Sequence, residues 1–118
     1  FGRNRRKYKA SIAAYEQARS RYEQAVMAAF TEVADAAVTY RSAKGTVDSR
    51  RHLRDAAYKY DTLANKQYIR GTINYNHVLD AHRRYFDAQI NYSNAVRDLY
   101  LAVASLYRTL GGGWRPNE

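Results

Sequence analysis

The only proline in this chain of 118 residues is Pro116, two residues from the end. Because proline is the residue that most strongly breaks a helix, nothing before it forbids long helices. Glycines occur at Gly2, Gly45, Gly71 and 111–113. A glycine inside a helix costs only about 1 kcal/mol. The sequence therefore predicts two helices, divided near Gly71, if the first helix continues through Gly45.

Weakly apolar side chains recur in the first half of the chain at alternating steps of three and four residues. This spacing is typical of a coiled-coil stripe. Its members are Tyr8, Ile12, Tyr15, Tyr22, Val26, Ala29, Val33, Ala36, Tyr40, Ala43 and Val47. We expect the register to slip after Val47 and to resume at Leu53, Ala56, Tyr60 and Leu63. A turn at Gly45 and Thr46 that ends the first helix is an alternative that the sequence leaves open.

A second stripe with similar spacing lies in the C-terminal part of the chain. It consists of Val78, Tyr85, Tyr92, Val96, Leu99, Val103, Leu106 and Leu110. Gly111 is suited to the left-handed conformation that ends a helix, and Pro116 blocks a return to helix. Residues 99–107 form a helix segment that is apolar on nearly all sides. One neighbouring helix cannot bury all of this apolar surface. The pattern favours a hairpin that belongs to a larger helical wall.

The predicted fold class is all-α, a single fragment that forms a long antiparallel α-helical hairpin. The first helix is expected at about 4–69 and the second at 75–110, with a tail at 111–118. At 1.5 Å per residue these helices are roughly 100 Å and about 55 Å long. The connection at 70–74 is too short for any arrangement other than antiparallel.

The net charge of the chain is compatible with acidic partners. The 20 Lys and Arg outnumber the 11 Asp and Glu, and this charge of +9 could attract nucleic acid or anionic lipid.

The composition also excludes several classes of function. The absence of cysteine excludes thiol catalysis and disulfides. His52, His77 and His82 lack the spacing of metal ligands and are interpreted as solvated. No catalytic triad or phosphate loop occurs, so we expect no enzyme, no cofactor and no metal site.

Six phrases of the sequence carry a family resemblance that covers essentially the whole chain. They are FGRN at 1–4, YEQAV at 22–26, AFTEVADA at 29–36, QYIRG at 67–71, VLDAHR at 78–83 and LYRTLGGGW at 106–114. In this order they resemble the last part of a TolC-type outer-membrane efflux protein. The closing Leu-Gly-Gly-Gly-Trp phrase is similar to the lipoprotein-like branch of that family.

The resemblance implies an architecture and a set of partners. Members of this family form homotrimers in which two repeats of strands and long helices per protomer build one tube. By this resemblance the chain would correspond to the second repeat, with its first helix descending a periplasmic α-barrel and its second helix returning. The implied role is a passive export conduit of the outer membrane, in a tripartite efflux pump or a type I secretion system. Its implied partners are a periplasmic adaptor and an inner-membrane pump, without nucleic acid.

The resemblance also implies a docking tip at Gly71, Thr72, Ile73 and Asn74. These residues would contact the hairpin of the adaptor, and the small Gly71 would allow close backbone approach.

A constriction or gate is implied at Tyr68, His77 and Asp80. Three copies of Asp80 would form an acidic ring on the axis of the duct. His77 stands where some relatives carry a second Asp, so the resemblance implies a single acidic ring here. Ile73 has no donor or charge, so a gate in this chain would depend on packing or on Tyr68.

Two alternatives remain at this point. The charge alone is compatible with a basic coiled-coil module that binds nucleic acid. The hairpin could also be that of a periplasmic adaptor, although the Gly-Gly-Gly-Trp phrase argues against this interpretation.

Overall fold

The computed structural model describes residues 1–112, within which the predicted all-α class is confirmed. Helix α1 spans Gly2–Ile69 and helix α2 spans Tyr75–Thr109. Trp114 and Pro116, on which the expected end of the chain partly depends, lie outside the described residues. The chain divides into two compact units, the first comprising Phe1–Asp35 and the second beginning at Ala36. In the described part of the chain, neither helix has an apolar stretch long enough to cross a membrane.

Helix α1 continues through Gly45, so the alternative of a turn at this glycine is excluded. A methyl group added at Gly45 would meet no atom within 4 Å. This glycine is therefore required neither for a turn nor for a close contact within the hairpin.

Helix α1 ends in a Schellman motif, in which a left-handed glycine allows two backbone N–H groups to reach the last turn. Gly71 has a φ of 74°. Its N–H donates to the carbonyl of Tyr68 at 2.8 Å, and the N–H of Thr72 donates to the carbonyl of Gln67 at 3.0 Å. The Thr72 hydroxyl donates to the same Gln67 carbonyl at 2.9 Å. These bonds satisfy carbonyls that the end of a helix otherwise leaves unpaired.

Helix α2 has a side-chain cap at its start and a second glycine cap at its end. The Asn74 side chain accepts a hydrogen bond from the backbone N–H of His77 at 3.3 Å. At the other end Gly111 has a φ of 91°, and the N–H of Gly112 donates to the carbonyl of Tyr107 at 3.0 Å. The predicted left-handed cap at Gly111 is confirmed.

In the second unit the two helices pack against each other as an antiparallel hairpin, which confirms this part of the predicted fold. The rings of Tyr68 and Tyr75 are 5.4 Å apart, as are those of Tyr58 and Tyr85. Farther from the turn, the guanidinium of Arg54 lies 4.4 Å from the ring centre of Tyr92. In these pairs the residue number on α2 increases as the residue number on α1 decreases, as expected for antiparallel helices.

The seam, meaning the row of side chains on each helix that faces the other helix, is built largely from alanine. On α2 the buried residues are Val78, Ala81, Ala88, Ala95 and Ala102. On α1 they are Ala36, Val47, Asp61 and Ala64. Buried alanines thus recur every seven residues on α2. Because alanine is small, two helices that pack through such a seam lie close together, near the lower limit of the usual interaxial distance of about 8–10 Å.

The predicted slip of register after Val47 is wrong. Buried and half-buried positions continue at the same spacing through Arg54, Ala57, Asp61 and Ala64. The stripe proposed to replace them is exposed, with Leu53 at 49%, Tyr60 at 42% and Leu63 at 53% of full exposure. The larger apolar side chains suggested the wrong register because the seam here uses alanine and an aspartate instead.

The first unit is a single helical stretch without a buried residue. Val26 and Val33 are half-buried. The apolar stripe of Tyr8, Ile12 and Tyr15 is exposed. One helix cannot cover its own apolar stripe, so within this unit the stripe is free to contact another chain segment.

Candidate functional site

The turn between the helices presents few free backbone groups. Gly71, Thr72 and Asn74 are exposed, and Ile73 is half-buried. The hydrogen bonds of the Schellman motif and of the Asn74 cap fix the backbone on both sides of Ile73. What the turn can offer a partner is therefore a fixed shape and small side chains. Whether this surface contacts an adaptor stays a prediction.

A tyrosine pair closes the hairpin just above the turn. The rings of Tyr68 and Tyr75 are tilted by 54° at a centroid distance of 5.4 Å, a geometry that stabilises aromatic pairs. Both side chains remain about half exposed. Tyr68, predicted at the constriction, thus links α1 to α2 within one chain.

Asp80, predicted as the acidic constriction residue, forms an ion pair within α2. Its Oδ2 accepts a hydrogen bond from Nε of Arg84 at 2.7 Å. This bond to Asp80 is the main cause that raises the pKa of Arg84, and Tyr60 of α1 adds a smaller contribution. His77 lies one turn before Asp80 with an exposed side chain. A role of Asp80 or His77 on the axis of a duct stays a prediction, since such an axis involves further copies.

A polar contact that sequence reasoning missed joins the two helices inside the seam. Nδ1 of His82 lies 2.5 Å from Oδ1 of Asp61, whose side chain is only 12% exposed. The contact does not have the geometry of a hydrogen bond, so among the described residues Oδ1 of Asp61 has no hydrogen-bond partner. The heptad spacing of Ala57 and Ala64 around Asp61 could have placed this aspartate on the seam.

The hairpin of the second unit carries two exposed apolar stripes, one on each helix. The α1 stripe consists of Leu53, Ala56, Tyr60 and Leu63. The α2 stripe consists of Leu79, Phe86, Tyr100, Val103 and Tyr107. Large exposed apolar patches of this kind mark interaction surfaces.

The two stripes lie on opposite faces of the hairpin. Ser42 and Thr46 of α1 line a groove together with Asp98 of α2, and Leu53 follows Thr46 by seven residues on the same side of α1. The α1 stripe therefore shares its face with Asp98. Tyr100 lies two residues beyond Asp98, a rotation of about 200°, which places the α2 stripe on the other face.

Comparison with known proteins identifies the family of this chain. Residues 1–112 match the family described as outer membrane efflux protein. The solvent efflux pump outer membrane protein SrpC of Pseudomonas putida is 34% identical over 82% of this chain and 21% of its own length. The outer membrane protein OprJ of Pseudomonas aeruginosa is 32% identical over 96% of this chain and 24% of its own length.

A third relative is the cation efflux system protein CusC of Escherichia coli, which is 30% identical over 97% of this chain and 25% of its own length. The chain thus spans about a quarter of the length of these curated relatives. No solved structure matches it significantly. With the family match extending over all described residues, the chain belongs to the outer membrane efflux protein family.

Proposed function

We propose that this chain forms part of the wall, and the inner tip, of an outer-membrane efflux channel. The wall lies in the periplasm and encloses a passive conduit through which small molecules leave the cell without chemical change. Family membership supports the channel role, and among the relatives SrpC is an outer membrane protein of a solvent efflux pump and CusC a protein of a cation efflux system.

The observation that carries the wall proposal is the pair of apolar stripes on opposite faces of the hairpin. A surface that binds a different surface on the next copy makes a head-to-tail contact, and such contacts generate closed rings when the rotation closes. A hairpin with a single apolar face would instead form a two-fold pair and stop. The proposed assembly is a homotrimer, in which each stripe is covered by a neighbouring hairpin.

The proposed partners meet the channel at the turn. Gly71, Thr72, Ile73 and Asn74 form the surface that contacts a periplasmic adaptor, which in turn connects the channel to an inner-membrane pump that supplies the energy. Tyr68, His77 and Asp80 narrow the conduit just above this surface. Their support is the position of all seven residues at the same end of the hairpin.

An export assay tests the proposal. A strain that lacks the full-length protein is complemented with the wild type, with Phe86→Glu/Tyr100→Glu, or with the control Lys59→Glu. The control changes the charge by the same amount at an exposed position on the side of α1 opposite the seam. We expect the wild type and the control to lower the accumulation of a fluorescent dye, and the double variant to fail because it charges one stripe. Unchanged dye accumulation after deletion of the full-length protein, with its pump present, would refute the channel role.

Cross-linking tests the proposed tip. Ile73→Cys in the full-length protein should cross-link to the adaptor in cells, whereas Lys59→Cys, an exposed residue three turns up α1, should not. Equal cross-linking at both positions would contradict docking at the turn.

A further inference from the structure

The first unit carries a basic face near its start. Arg3, Arg6 and Lys7, hereafter the basic face, line a concave surface of about 550 Å³ together with Ala10. All three cations are exposed, and the small Ala10 leaves space between them. Because a helix turns about 100° per residue, these residues share one side of α1.

The basic face points away from the apolar stripe of the same unit. Tyr8, Ile12 and Tyr15 recur at steps of four and three residues, and the mean direction of this stripe is about 150° from the mean direction of the three cations. If the stripe packs against other parts of the assembly, the basic face therefore remains directed outward.

The cations of this region lack the carboxylate partners that the rest of the chain supplies. Elsewhere, five arginines each lie within 3.3 Å of a carboxylate one to four residues away, namely Arg19, Arg51, Arg54, Arg84 and Arg97. No acidic residue precedes Glu16. Among the described residues, none of Arg3, Arg6 and Lys7 forms an ion pair with a side chain of the chain itself.

We propose that the basic face binds the phosphate groups of anionic phospholipids at the surface of the membrane that holds the channel. Guanidinium and ammonium groups are the natural partners of phosphate, and basic residues next to a membrane bind anionic lipid headgroups. The inference rests on the proposed membrane channel. Family membership favours a lipid source of phosphate over a nucleic acid.

Lipid binding by the purified full-length protein tests this inference without any transport measurement. The protein is held in nanodiscs of neutral phosphatidylcholine and titrated with short-chain phosphatidylglycerol or short-chain phosphatidylcholine. The test variant is Arg3→Gln/Arg6→Gln/Lys7→Gln. The control variant, Arg41→Gln/Lys44→Gln/Lys59→Gln, removes the same charge from exposed positions of the second unit.

We expect the wild type and the control variant to bind phosphatidylglycerol more tightly than phosphatidylcholine. Since each basic residue at an anionic membrane surface contributes about fivefold in affinity, the affinity of the test variant for phosphatidylglycerol should fall on the order of 100-fold.

An equal loss of affinity in the control variant would show that the effect depends only on net charge and would overturn the proposal. Tighter binding of duplex DNA than of phosphatidylglycerol would also overturn it, in favour of a nucleic-acid surface. Normal dye export by a test variant that no longer binds lipid would separate this site from the channel function.

Discussion

Nδ1 of His82 on α2 lies 2.5 Å from Oδ1 of Asp61 on α1, in a seam that is otherwise mostly alanine. Asp61 is among the buried residues, whereas the His82 side chain is 53% exposed. The contact thus ties a carboxylate inside the hairpin to a ring at its edge. A buried polar group needs a partner, so this pair restricts which residues of the two helices can face each other.

The first prediction concerns this pair. His82→Ala should lower the free energy of unfolding by about 1–3 kcal/mol, because it removes the polar ring that lies against a buried carboxylate oxygen with no hydrogen-bond partner among the described residues. Asp61→Ala/His82→Ala should recover part of that loss, since alanine suits the seam. Guanidinium unfolding followed by helical circular dichroism measures both. His52→Ala, at an exposed position of α1, is the control, and a cost as large as that of His82→Ala would contradict the role of the pair.

Two glycines should respond in opposite directions to the same substitution. Gly71→Ala should destabilise the chain by about 1–2 kcal/mol, because a β-carbon is strained at its φ of 74°. Gly45→Ala should stabilise it by roughly 0.5–1 kcal/mol, because Gly45 is helical and open space surrounds it. Thermal unfolding of both variants distinguishes these effects. A destabilising Gly45→Ala would indicate a close contact at Gly45 that the hairpin itself does not contain.

The alanine seam predicts a strong dependence on side-chain size. Ala81, which is 0% exposed, leaves no space for a larger residue, so Ala81→Leu should cost about 1–3 kcal/mol through overpacking. Ala104→Leu adds the same atoms at an exposed position of α2 and should change stability by less than about 0.5 kcal/mol. Denaturant unfolding measures the difference. Similar stability of the two variants would show that the helices can separate to accept the leucine.

The cap of α2 gives a further prediction. Asn74→Ala removes the acceptor for the N–H of His77 and should cost about 0.5–2 kcal/mol. Asn74→Asp keeps an acceptor oxygen and should retain most of the stability. Asn76→Ala, in the first turn of α2, serves as the control. If all three variants unfold at the same denaturant concentration, the Asn74 side chain does not stabilise the helix.

Local sequence patterns determined the helices and their ends. Proline is confined to position 116, and a glycine stands where each helix needs a left-handed residue, so backbone chemistry alone indicated where helix can form and stop. The short connection then required an antiparallel return. These features depend on residues close together in the chain, which is why the sequence alone predicted them.

Only the tertiary structure decided which side of α1 faces α2. The sequence favoured Leu53, Tyr60 and Leu63 because they are large and apolar, yet the packed hairpin buries Asp61 and Ala64 and leaves those three exposed. Close packing of two backbones selects small side chains, and the polar ring that lies against buried Asp61 belongs to His82, which comes from the other helix. Neither effect is visible in one helix alone, because each depends on what the partner helix places opposite.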